Sequence, residues 1–154
     1  MPLPRRNFLL LPLVALAACG IAKPQHPASR SGLYPNETPE LRRLIERAAN
    51  ANDVPVSLVQ RVILRESSHI PSARNGPYYG LMQILPQTAQ TMGYRGPASG
   101  LLDAETNLTY AVKYLRGAWL LSNGIQDRAV MWYAKGYYYE AKRRGMLEET
   151  GLRT

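Results

Sequence analysis

Apolar residues in this chain recur at spacings of three and four, and no stretch alternates them over a strand length. Leu108, Ala111, Val112, Leu115, Ala118 and Trp119 are the clearest run and describe one face of a long helix. Asp103 stands where a helix N-cap belongs, and Asn123-Gly124 closes the run. The same spacing joins Leu41, Leu44, Ile45, Ala48 and Ala49 behind Thr38-Pro39-Glu40, an N-cap followed by a first-turn proline and an acid. It joins Leu58, Val59, Val62 and Ile63 behind Pro55. Pro86 begins a short helix that Gly93 ends. Asp127 is expected to cap a further helix that Gly136 interrupts, and the basic segment ending at Gly145 reads as a solvated helical face. Residues 69–79 and 94–102 are rich in Gly, Pro and Ser and read as loops. The expectation is an all-α fold, with 154 residues leaving room for one domain and a leader.

The leader is residues 1–18. Arg5-Arg6 start it, Phe8 to Ala18 form an apolar core too short to span a bilayer, and Leu16-Ala17-Ala18-Cys19 closes it. This resembles a bacterial lipobox, which implies a lipidated Cys19, and Gly20 in place of Asp points to the outer membrane. Arg5-Arg6-Asn7-Phe8-Leu9 also partly resembles a twin-arginine signal. Cys19 is the one cysteine, so neither an internal disulfide nor a cysteine-based metal cluster is open to this chain. Residues 19–36 are rich in Pro, Ser, Lys and Arg and read as a tether to a domain over 37–154. The formal net charge of +8 favours an anionic partner or simply solubility, since the basic residues are spread along the chain.

The chemistry centres on Glu66. Carried on by three residues, the stripe ending at Val62 and Ile63 reaches Glu66, which therefore continues the buried face instead of the solvated one. Desolvation and the negative end of the helix dipole both disfavour its charged form and raise its pKa. A Glu so placed is a general acid at neutral pH, or else the partner of Arg61, Arg65 or Arg74. Fourteen residues on, Gly80-Leu81-Met82-Gln83-Ile84 combines a close backbone approach with one polar interruption. Gln83, if buried, needs partners, either a ligand amide or hydroxyl or a backbone group. Tyr78-Tyr79 before it either stacks on a sugar or packs.

Arg65-Glu66-Ser67, Gly80-Leu81-Met82-Gln83 and Asp103-Ala104-Glu105-Thr106-Asn107-Leu108, in this order on a helical pattern, resemble the lysozyme-like lytic transglycosylases of the soluble-lytic-transglycosylase (SLT) type. The resemblance covers residues 40–145 and implies a lysozyme-like helical domain with a catalytic groove that cleaves peptidoglycan. Glu66 would be the single acid/base, protonating the glycosidic oxygen and then taking the C6 hydroxyl proton of N-acetylmuramic acid, which leaves a 1,6-anhydro sugar. Ser67 would support the carboxylate, and Gln83 with the Met82 backbone would line the sugar sites. Tyr133 would hold the acid or the substrate N-acetyl group. Tyr79 and Asn107 are expected among the substrate contacts. Trp132-Tyr133-Ala134-Lys135-Gly136 departs from the family's Ala-Tyr-Asn-Ala-Gly, and Ala134 makes none of an Asn's hydrogen bonds.

The expected partners are glycan strands and, through Cys19, a membrane. The expected setting is the bacterial envelope, on a periplasm-facing, outer-membrane-anchored monomer. A hydrolytic muramidase would share the fold and use water, and a non-catalytic wall-binding lipoprotein would keep the groove without needing an ionisable Glu66. A nucleic-acid module is disfavoured by the leader and by the lack of a reader motif. With only His26 and His69, neither a metal nor any other cofactor is expected.

Overall fold

The computed structural model describes residues 32–153. The leader, Cys19, His26 and most of the tether lie outside the described residues. Helices account for nearly all regular structure: α1 (Pro39–Ala51), α2 (Val56–Glu66), α3 (Pro86–Thr91), α4 (Ala104–Leu121), α5 (Gln126–Lys135) and α6 (Tyr138–Arg143). A two-residue antiparallel pair, β1 (Arg74–Asn75) with β2 (Tyr78–Tyr79), lies between α2 and α3, and a 3₁₀ turn spans Ala98–Leu102. No helix among the described residues is long and apolar enough to cross a membrane.

The longest helix, α4, is the spine, and α1, α3, the 3₁₀ turn and α5 all pack on it. Its Leu108, Ala111, Val112, Leu115 and Ala118 are fully buried, which is the stripe read from spacing. The stripe residues of α1 and α2, among them Ile45, Leu58, Val59 and Ile63, join the same core. A core of aliphatic side chains and alanines lets helices approach closely, and burying each large aliphatic contributes about 1.5–3 kcal/mol.

Two of the three expected caps hold. Thr38 Oγ1 accepts from the Leu41 amide at 3.1 Å, and Asp103 Oδ1 accepts from the Thr106 amide at 2.8 Å. Asp127 does not cap α5. The N-cap is Ile125, and Asp127 lies in the first turn, paired with Arg61 on α2. That pairing fastens α5 beside the helix bearing Glu66, a use of the acid that local sequence does not disclose. The two loop stretches also prove partly ordered. A Gly76-Pro77 turn, with Gly76 at φ +55°, closes the hairpin in 69–79, and the 3₁₀ turn occupies the end of 94–102.

The packed unit begins ahead of residue 37. Tyr34 stacks on His69 with ring centroids 5.0 Å apart, and Asn36 Nδ2 donates to the Ser68 carbonyl at 3.1 Å. The last residues of the expected tether are thus docked against the turn that follows Glu66.

Candidate active site

Glu66 is the last residue of α2, and its side chain retains 23% of its exposure. Burial pushes the carboxyl pKa up, and the Arg65 guanidinium partly offsets this. Arg65 Nε lies 3.5 Å from Glu66 Oε1, so the neighbouring arginine does not point elsewhere, as helical geometry alone would have it. The helix ends immediately after Glu66, with Ser67 as its C-cap at φ −140°. Ser68 and His69 then take left-handed backbone conformations, at φ +51° and +65°, and turn the chain away. Of the other two arginines considered as partners, Arg61 is held by Asp127, and Arg74 lies over the Tyr79 ring at 4.7 Å.

Around Glu66 opens a groove of about 350 Å³ lined by Arg65, Asn75, Tyr78, Gln83, Tyr133 and Ala134. Among the described residues no second carboxylate lines it. Glu37, Glu40, Asp103, Glu105, Asp127 and Glu140 are each engaged elsewhere, in ion pairs or a helix cap. Among the described residues no three His, Cys, Asp or Glu side chains cluster as metal ligands would.

Three of the expected site residues, Glu66, Gln83 and Tyr133, meet in this groove. Gln83 has φ +47°, an uncommon conformation for a residue with a side chain. Its Nε2 donates to the carbonyls of Gly80 (2.8 Å) and Ala73 (3.1 Å), while Oε1 is buried with no partner. The backbone alternative for Gln83 is therefore the one seen: backbone takes the donors, and a buried acceptor is left over. Tyr133 donates its hydroxyl proton to the Met82 carbonyl at 2.8 Å. Burial raises its pKa well above the ordinary phenol value, with the nearby Glu66 charge adding to the shift, so it stays a neutral donor.

The other four support the wall from behind. Ser67 Oγ donates to the Leu81 carbonyl at 2.7 Å and ties the end of α2 to the Gly80–Ile84 segment. Met82 is fully buried, and both its backbone groups are used internally, the amide by Asn107 and the carbonyl by Tyr133. Asn107 is also fully buried. Its Oδ1 accepts from the Met82 amide at 3.0 Å, and its Nδ2 donates to the Tyr79 and Leu101 carbonyls, each at 2.8 Å. Every polar atom of Asn107 is thus spent on scaffold. Tyr79 faces away from the groove because successive strand residues alternate, and Tyr78 is the tyrosine that lines it. Gly80 is obligatory here: it has φ +71°, and a Cβ would overlap Asn107 Nδ2 and the Leu101 carbonyl.

Sequence reasoning also missed a buried polar chain behind the turn that follows Glu66. Burial pushes the Glu37 carboxyl up, but hydrogen bonds from Arg42, the Tyr34 amide and Gln60 outweigh it and hold the pKa at about 2. Gln60 Nε2 donates to Glu37 Oε1 at 2.6 Å, and its Oε1 lies 2.6 Å from His69 Nε2. With Gln60 fixed as acceptor at that end, the proton belongs on His69 Nε2. Burial pushes the imidazole pKa down, so the ring is neutral. A polar residue among apolar helix positions was the available signal for Gln60; its partners are set by the fold.

The profile of the transglycosylase SLT domain matches residues 43–145, about two thirds of the chain. This chain belongs to the SLT transglycosylase family. The transglycosylase domain is also 34% identical over 98 residues to the peptidoglycan transglycosylase gp16 of Escherichia phage T7. That alignment covers 60% of this chain but only 7% of the much longer phage protein. No solved structure gives a significant match. The matched region contains Glu66, Gln83 and Tyr133 together with the helices that position them, so family and groove coincide on the same residues. Its all-helical build agrees with the lysozyme-like fold of the family.

Proposed function

We propose that this domain cleaves the MurNAc-β-1,4-GlcNAc bond of peptidoglycan without water and leaves 1,6-anhydro-MurNAc ends. One observation carries the proposal: among the described residues Glu66, its pKa raised by burial, is the lone carboxylate in the groove. A two-carboxylate glycosidase needs a second acid across the cleft as nucleophile or as base for water. A single acid/base suffices when the substrate supplies the nucleophile. Protonated Glu66 gives its proton to the glycosidic oxygen as the bond to C1 breaks. The resulting carboxylate, beside the Arg65 cation, then takes the proton from the C6 hydroxyl as that oxygen bonds to C1. The proton returns to Glu66, and the products are the 1,6-anhydro sugar and a free 4-hydroxyl. Gln83, which lines the groove, and Tyr78, an exposed ring, are the residues we assign to sugar binding beside the acid. Tyr133, Ser67, Met82, Asn107 and Tyr79 serve by holding that wall.

The setting we infer is the bacterial envelope, with the domain anchored through a lipidated Cys19 to the outer membrane and remodelling the wall as a monomer. Digestion of purified sacculi followed by mass analysis of the muropeptides tests the chemistry. Anhydro ends are expected; products one water heavier would make the domain a hydrolytic muramidase. Glu66→Gln should lower cleavage by roughly 10³-fold, the order expected for losing a general acid that also serves as base. Unaltered function in that variant would leave a wall-binding protein without turnover.

A further inference from the structure

The last turn of α5 faces more than the Glu66 groove. Ala134, which lines that groove, also lines a shallow depression with Arg65 and Lys135. Lys135 in turn borders a cleft of about 510 Å³ whose walls include Tyr114, Trp132, Tyr137, Tyr138 and Tyr139. Shared residues thus link the three concavities in succession, and the path from Glu66 to the tyrosine cleft runs over Ala134 and Lys135. These are the positions where the chain departs from the family pattern.

The exposed rings of the cleft are not explained by folding. Tyr138 and Tyr139 are 47% and 83% exposed, with rings perpendicular at 5.4 Å. An aromatic left in water gains little from the hydrophobic effect, although Tyr137 beside them is buried and donates to the Tyr114 carbonyl at 2.7 Å. Open aromatic faces on a concave wall match the chemistry of an N-acetylated pyranose, which offers C–H faces for stacking.

We propose that this cleft is a second carbohydrate-binding site that holds sugars of the glycan strand away from the bond being cut. Tyr138 and Tyr139 supply the stacking faces, and Lys135 the seam to the catalytic groove. The choice of a glycan strand as occupant rests on the function proposed above, and continuity with the Glu66 groove favours it over an unrelated ligand.

The test uses the full chain in two forms. In the Glu66→Gln background, co-sedimentation with purified sacculi measures binding for Tyr139→Ala and for Tyr138→Ala, each of which removes one exposed ring. With Glu66 intact, the same substitutions are assayed on sacculi and on a soluble GlcNAc-MurNAc tetrasaccharide. Tyr139→Ala is expected to weaken sacculus binding and cleavage about fivefold, a typical aromatic contribution, while tetrasaccharide cleavage stays within about twofold. Tyr138→Ala should lower binding in the same direction. Unchanged binding, or equal losses on both substrates, overturns the second site. So does a Tyr139-dependent dimer in sedimentation velocity, which would make the exposed rings a self-association surface. A protein that binds sacculi through Tyr139 yet cuts neither substrate would refute the enzymatic proposal and leave this site standing.

Discussion

Replacing Asn107 with Ala tests whether this residue belongs to the scaffold or to the substrate site. Its amide joins three chain segments at once: the Met82 amide, the Tyr79 carbonyl and the Leu101 carbonyl, at 3.0, 2.8 and 2.8 Å. The residue is wholly buried, so truncation leaves three backbone groups without partners. Each such group costs about 1–3 kcal/mol. The three are neighbours and not additive, which brings the total to about 4 kcal/mol. That is a large share of the roughly 5–15 kcal/mol that stabilises an ordinary domain. At about 4 °C per kcal/mol for a domain of this length, Tm should fall by roughly 15 °C. Thermal denaturation followed by circular dichroism measures this, with glycan-cleavage kinetics at a temperature where both proteins are folded. A Tm loss below about 3 °C, together with a raised KM, would refute the scaffold assignment and return Asn107 to the substrate contacts.

Three further outcomes follow from the same geometry. The donor form of Glu66 is protonated, so kcat/KM should fall as pH rises through its raised pKa; Arg65→Gln removes the offsetting cation and should move that descending limb to higher pH, whereas a limb that moves lower would contradict the burial argument. The raised pKa also means that ionised Glu66 costs stability, so Glu66→Gln should be more stable than the parent at neutral pH, with the difference shrinking as pH falls and both states protonate, as pH-dependent melts would show. Gly80→Ala places a Cβ into Asn107 and the Leu101 carbonyl at a positive φ; we expect a loss of about 2–4 kcal/mol or failure to fold, and a parent-like melt would show that the loop yields easily.

The helices were legible in the sequence because burial repeats at their own period. The stripes beginning at Leu41 and Leu108 marked α1 and α4, and Thr38 and Asp103 marked their starts through a bond made within one turn. The place of Glu66 at the buried end of α2 was legible for the same reason, since it continues a local pattern. Tertiary structure decided whatever depends on contacts between distant segments. It gave Asp127 to Arg61, 66 residues away, instead of to its own helix end. It turned Tyr78 into the groove and Tyr79 out of it through a two-residue strand too short to show a period. It set Asn107 behind Met82, 25 residues earlier in the chain, and linked Glu37 to His69 through Gln60. Hydrogen bonding is short-ranged and directional, so a residue's partners are fixed only once the chain has closed, whereas hydrophobic periodicity is written along the chain itself.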